Sequence, residues 1–283
     1  MSATWFPGIT PSHEMPLEID TRVAHPARVY DYLLGGKNNF AADQAAAKAA
    51  LAANPALRTA IRENRAVMRR MTAYLAGEAG IRQFLDIGTG LPSSPNLHEV
   101  AQERAPGARV VYVDVDPMVA AYSAPLLSED GSTILVTADM RDPDSVLEHP
   151  ELRRLIDFSQ PVGMLMTAVV HFVADGSDPW ALVRRYMTAT APGSYLALSH
   201  LTYDRLPARA TVAGQEVYQR ATSNIYARTR EEVTRFFDGL ELVPAQPGGE
   251  PAITFPGLWG AEDLEAADSD GSRAFYCGVA RRP

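Results

Sequence analysis

The chain has 283 residues, 46% of them hydrophobic, a formal net charge of −8 and one cysteine, Cys277. That length and composition allow one large domain with a full core, or a domain with an appendage. The acidic balance argues against general nucleic-acid binding, a lone cysteine excludes an internal disulfide framework or a cysteine-based metal site, and no apolar run is long enough to span a membrane.

Met1 to Gly8 lack a basic start followed by an apolar block, so no signal peptide is expected and a cytoplasmic location is the default. Residues 1 to about 25 carry several prolines without a period and read as an extended arm. Pro26 to Leu34 reads as a short helix stopped by Gly35-Gly36, and Ala41 to Ala53 as an alanine-rich helix. Asn54-Pro55 opens a long helix towards Gly77, in which Ile61, Met68, Met71 and Leu75 form a core-facing stripe. From Arg82 onward strands and helices alternate. Strands are expected at Gln83–Ile87, Arg109–Val113, Thr133–Thr137, Val162–Ala168 and Ser194–Ser199. The helices between them start at Ser94-Pro95, Pro117, about Ser145 (running to Ile156) and Asp178-Pro179. Thr229 to Glu232 forms a capping box, and Leu240–Val243 and Ala274–Ala280 are late strands. This alternation implies an α/β fold with a doubly wound, mostly parallel sheet, whose ligands bind beyond the strands' carboxyl ends.

The first strand ends in Asp86-Ile87-Gly88-Thr89-Gly90, and about two dozen residues later the second ends at Asp114. Glycines at the first turn admit a cofactor close to the backbone, and an acid after the second strand can hold a ribose diol. The third glycine of a dinucleotide loop is missing: the loop continues Leu91-Pro92-Ser93. Asp139 closes the third strand, where a carboxylate can accept from an adenine amino group. Three acids at consecutive strand ends suit S-adenosylmethionine, with its sulfonium and amine, and suit a pyrophosphate poorly.

Three stretches carry a closer likeness: Ala27 to Asp43 (ARVYDYLLGGKNNFAAD), Phe84 to Pro92 (FLDIGTGLP) and Asn96 to Ala101 (NLHEVA). On these, from about Asp20 to the C-terminus, the chain resembles the actinobacterial S-adenosyl methyltransferase family, once catalogued as a domain of unknown function, within the class I S-adenosylmethionine-dependent methyltransferases. The resemblance implies a Rossmann-like, seven-stranded sheet with its last strand antiparallel. It further implies that Asp86, Gly88 and Gly90 line the methionine part, Asp114 the ribose, and Asp139 with Met140 the adenine. Thr89 and Val115 are counted with these cofactor contacts.

On the acceptor side, His171 follows the fourth strand and can serve as a general base near neutral pH. His200 and Tyr203, after the fifth strand, are further catalytic candidates. The segment Arg28 to Phe40 reads as a lid, with Tyr32, Lys37 and Asn38 as its contacts. The plainer reading of the same residues is a helix stop with a solvated lysine. Two segments result: an arm and helical lid over residues 1–80, and a cofactor-binding domain over 81–283. No metal site is expected. The leading expectation is a methyltransferase acting on a small molecule. The rivals are a non-catalytic protein that binds the cofactor or its demethylated product, and a dinucleotide-dependent oxidoreductase. The oligomeric state is not legible.

Overall fold

The computed structural model describes residues 20–127, 131–205, 224–267 and 269–283. Most of the expected N-terminal arm lies outside them. Seven strands form one sheet in the order β3-β2-β1-β4-β5-β7-β6. They are β1 Gln83–Ile87, β2 Arg109–Asp114, β3 Thr133–Thr137, β4 Gly163–Thr167, β5 Tyr195–Leu201, β6 Glu241–Leu242 and β7 Phe275–Arg281. The first five are parallel to one another, and β7 lies antiparallel between β5 and β6. The sheet therefore reverses its direction of winding between β1 and β4, which is where α/β sheets bind ligands.

Among the described residues, three helices precede the sheet: α1 Pro26–Leu34, α2 Ala41–Ala53 and α3 Leu57–Gly77. The others used below are α4 Leu97–Arg104, α5 Pro117–Ser123, α6 Pro143–Leu147, α7 Pro150–Leu155, α8 Pro179–Thr188 and α9 Arg230–Thr234. Side chains alternate along each strand, and the two faces have separate cores. Phe84, Val110 and Leu165 pack against Met68, Met71 and Leu75 of α3 and Leu97 of α4. Leu85, Val111 and Met164 face Leu152 of α7 and Val183 and Tyr186 of α8. Helices thus cover both faces, as expected.

Three helix boundaries differ from the sequence reading. The helix expected to open at Asn54-Pro55 starts at Leu57 with Ala56 as its N-cap, and Asn54 instead closes α2, its N–H donating to the Ala50 carbonyl. The expected helix from Ser145 to Ile156 is two helices, α6 and α7, because Pro150 has no N–H to donate and pushes His149 out of helical geometry (φ −59°, ψ 128°). The helix expected from Ser94-Pro95 starts at Leu97 instead. There the Glu99 carboxylate accepts the Asn96 backbone N–H, and the Asn96 side chain accepts the Ser93 N–H.

Candidate active site

The glycine turn after β1 is built by φ values that only glycine adopts without strain: +71° at Gly88 and +66° at Gly90. The Gly88 N–H donates to the Val113 carbonyl at 2.7 Å, tying the turn to β2. A Cβ on Gly88 would fall inside the side chain of Val169, which follows β4, whereas a Cβ on Gly90 would meet only open space. Asp114 at the end of β2 organises the same turn. One carboxylate oxygen accepts the Gly90 N–H (2.8 Å) and the other the Asp116 N–H (2.9 Å). Burial pushes its pKa up, against the pull of those two bonds.

This turn borders a cavity of about 340 Å³, within the usual size of small-molecule sites. Gly88, Thr89, Gly90, Asp114, Val115, Asp139 and Met140 all line it, so seven of the eight expected cofactor contacts converge at the ends of β1, β2 and β3. Asp139 is already gripped by its neighbour. The Arg141 guanidinium approaches to 2.6 Å and holds the carboxyl below its ordinary pKa. Asp86, the eighth, lies behind the turn in a space of about 20 Å³ bordered also by Arg65, Thr89, Asn96 and Tyr112. Burial raises its pKa to about 6, although the Thr89 side chain and Arg65 favour the ionised form.

Across the cavity stand His171, Phe172, Leu201, Tyr203 and Phe275. His171 is buried, its Nδ1 finds no partner, and burial together with Arg228 lowers its pKa to about 3. It is neutral throughout the physiological range, so the expectation of a base poised near pH 7 does not hold. His200 does not line the cavity. Its Nδ1 donates to the Leu201 carbonyl (2.8 Å), its Nε2 accepts from Arg228 (2.7 Å), and its ring stacks on Phe236. With both nitrogens engaged inside the core, it is a packing residue. Tyr203 does reach the cavity and is half-buried.

The expected lid contacts are not brought to the cavity either. Tyr32 lies beneath the Arg58 guanidinium, packed among α1, α2 and α3, Lys37 is exposed, and Asn38 donates its backbone N–H to Asp31. The segment is a turn moulded on two buried acids. Asp31 accepts from the Asn38 N–H and the Asn39 amide (2.8 Å each), and Asp43 from the N–H groups of His25 and Phe40, with Arg28 alongside at 3.2 Å. A Cβ on Gly36 would collide with the Asp31 carboxyl. Gly36→Ala should therefore cost about 2 kcal/mol of stability, read as a lowered midpoint in denaturant with unchanged slope. A midpoint equal to wild type would show that Asp31 moves aside freely.

The helical segment does wall the cavity, but through residues that the sequence reading assigned to packing or passed over. They include Pro26, Ala27 and Tyr30 of α1, and Ile61, Asn64 and Arg65 of α3. Asn64 joins the two layers, its Nδ2 donating to the Tyr30 hydroxyl (3.0 Å) and its Oδ1 accepting from the Ser199 hydroxyl (2.6 Å). The available signal was its place on the stripe of Ile61 and Met68, where an amide needs partners.

The sequence profile of the S-adenosyl methyltransferase family matches residues 12–283. A DUF574 family protein from Streptomyces avermitilis is 46% identical, with 93% of this chain and 99% of that one aligned and a TM-score of 0.87. A protein from Thermobifida fusca is 41% identical over 93% of this chain and 96% of that one, with a TM-score of 0.85. The N-methyltransferase NodS of Bradyrhizobium japonicum, solved with S-adenosylhomocysteine, shares the fold at 13% identity and a TM-score of 0.50, over 90% of this chain and 99% of that one. None of the curated proteins matches. The resemblance read from the three motifs is borne out, and the dinucleotide-dependent alternative falls away: the chain belongs to the S-adenosyl methyltransferase family and is an S-adenosylmethionine-dependent methyltransferase.

Proposed function

We propose that the protein transfers the methyl group to a small molecule held between the strand ends and the ring cluster of His171, Phe172 and Phe275. The observation that carries this reading is one continuous cavity running from the Gly88–Gly90 turn to those rings. When bound, S-adenosylmethionine supplies a methyl group already activated by its sulfonium, which leaves the protein to position, desolvate and manage a proton.

The residues present suit that cofactor. Gly90 faces open space, Asp114 keeps a free lone pair on each oxygen for a ribose diol, and the buried carboxylate of Asp86 is mostly ionised at neutral pH, matching a cationic group. On this reading Val115, Met140 and Asp139 receive the adenine end, with Arg141 yielding part of its hold on Asp139. Residues 81–283 carry the cofactor, and α1 and α3 of the preceding segment close the cavity. His171 and Tyr203 contact the acceptor, His171 as a neutral hydrogen-bonding wall. The net charge of −8 speaks for a small acceptor over a nucleic acid, and a cytoplasmic setting fits the composition.

Side-by-side calorimetric titration with S-adenosylmethionine, S-adenosylhomocysteine and NAD tests the cofactor half of the proposal. Binding of the first two alone supports it, and binding of none by folded protein sinks it. Asp114→Ala removes both acceptors that set the turn. It should weaken S-adenosylhomocysteine binding about hundredfold while the far-ultraviolet dichroism stays unchanged. Undiminished affinity would remove Asp114 from the site.

A further inference from the structure

The two ends of the cavity differ in charge. Among the described residues, its charged side chains lie at the strand ends and on the preceding helical segment, where each already has a partner. Arg141 holds Asp139, Arg65 donates to the Ser93 carbonyl at 2.7 Å, and His25 lies 3.0 Å from Asp116. The far end is walled by rings: His171 and Phe172 have centroids 4.5 Å apart, and His171 and Phe275 6.2 Å. Two polar side chains of the helical wall are committed inward, Asn64 to Tyr30 and Ser199, and Tyr30 to the Ile61 carbonyl.

Behind the rings lies Arg228, only 2% exposed. Its guanidinium contacts His200, the Val173 carbonyl (2.7 Å) and Asp175 (2.6 Å). The Asp175 side chain is 63% exposed, so water screens the counter-charge more than it screens the guanidinium. The described wall of the acceptor end is thus aromatic and biased positive.

Resting on the proposed function, we infer that the acceptor is an aromatic molecule methylated on an acidic hydroxyl, a phenol or an enol, held against His171, Phe172 and Phe275. A neutral imidazole that protonates only near pH 3 takes no proton from the nucleophile at neutral pH. The acceptor must then release its own proton to water, as phenols and enols do. The oxygen lone pair forms the new bond to the methyl carbon, the carbon–sulfur bond breaks with its electron pair left on sulfur, and anion and sulfonium become a neutral ether and a neutral thioether. An aromatic wall of low polarity favours that loss of charge, because it destabilises separated ions more than the transition state that merges them. An amine acceptor would instead leave a new alkylammonium beside Arg228, with no carboxylate among the described residues that line the cavity at that end.

The test uses the full chain saturated with S-adenosylhomocysteine. Binding of 2-naphthol, of 2-methoxynaphthalene and of naphthalen-2-ylmethylammonium is followed by calorimetry. The first two should bind, and the ammonium probe should bind about tenfold more weakly or less. Phe172→Leu and, separately, Phe275→Leu should weaken 2-naphthol about fivefold, leaving the affinity for S-adenosylhomocysteine within about twofold of wild type. Equal or tighter binding of the ammonium probe, or indifference of 2-naphthol to both substitutions in folded variants, overturns the inference and leaves the cofactor assignment standing. Failure of S-adenosylhomocysteine itself to bind overturns both.

Discussion

Gly88→Ala should abolish cofactor binding and lower stability by about 3 kcal/mol, through two separable costs. A non-glycine residue at φ +71° pays about 1 kcal/mol for the left-handed conformation. The new Cβ must also occupy space held by the Cβ and Cγ2 of Val169, an overpacking worth about 2 kcal/mol in a region where both chains are fixed. Neither chain gives easily. The Gly88 N–H is tied to Val113, while the preceding Ala168 donates its N–H to the carbonyl and hydroxyl of Ser199 (3.1 and 3.0 Å) and is itself at φ +54°. For a chain of this length the loss corresponds to a fall of about 6–10 °C in the melting temperature. The partner in the clash can be removed: in Gly88→Ala/Val169→Gly the overpacking disappears and the conformational cost stays. A double-mutant cycle should therefore show the pair less destabilised than the sum of the singles by about 1–2 kcal/mol. Additivity within error would mean that the close approach of the β1 and β4 turns is not what requires glycine.

The glycine turn was legible because its physics is local. A left-handed backbone after a buried strand needs glycine, and a strand-end acid some two dozen residues further along the chain is still marked by its own strand's apolar run. Asp86, Asp114 and Asp139 were found on that basis, and each stands at a strand end. The segment around Tyr32, Lys37 and Asn38 was misread for the opposite reason. Asp31 and Asp43 look like solvated acids in the sequence. What buries them is their set of backbone N–H donors and the cation of Arg28, and nothing in the local pattern announces such partners. His200 was misplaced by a boundary. β5 extends to Leu201, two residues past the expected end, so alternation turns His200 onto the same face as Leu196 and Leu198, against Phe236. Read with the longer strand, the sequence itself would have put His200 in the core. The cavity contributions of Tyr30, Asn64 and Arg65 depend on α1 and α3 crossing the strand ends, a tertiary fact that helical periodicity does not contain.

Asp86 carries the second large effect, and it has opposite signs for folding and for binding. The folded-state pKa of about 6 stands above the unfolded value of about 3.9. The folded protein therefore binds this proton more tightly than the unfolded chain does, and the stability it contributes is complete below about pH 4 and lost as pH rises through 6. At pH 7 the protein bears the cost of an ionised carboxylate in the core. A difference of about two units sets that cost at no more than about 3 kcal/mol. Asp86→Asn, which keeps an oxygen for the Thr89 hydroxyl, should raise the stability of the ligand-free protein by up to that amount at pH 7 to 8, and the advantage should vanish towards pH 4. Binding runs the other way. If the ionised carboxylate is retained to meet the cationic end of S-adenosylmethionine, wild-type affinity should be flat above pH 7 and fall about tenfold per pH unit well below pH 6. The asparagine variant should bind weakly with no such slope. A more stable variant with wild-type affinity and the same pH profile would assign Asp86 to the fold alone. A variant both weaker in binding and less stable at pH 7 would mean that Arg65 and Thr89 more than offset the burial of the charge. The pattern expected here, greater stability with weaker binding, is what a carboxylate kept for its ligand and against the interests of the core should produce.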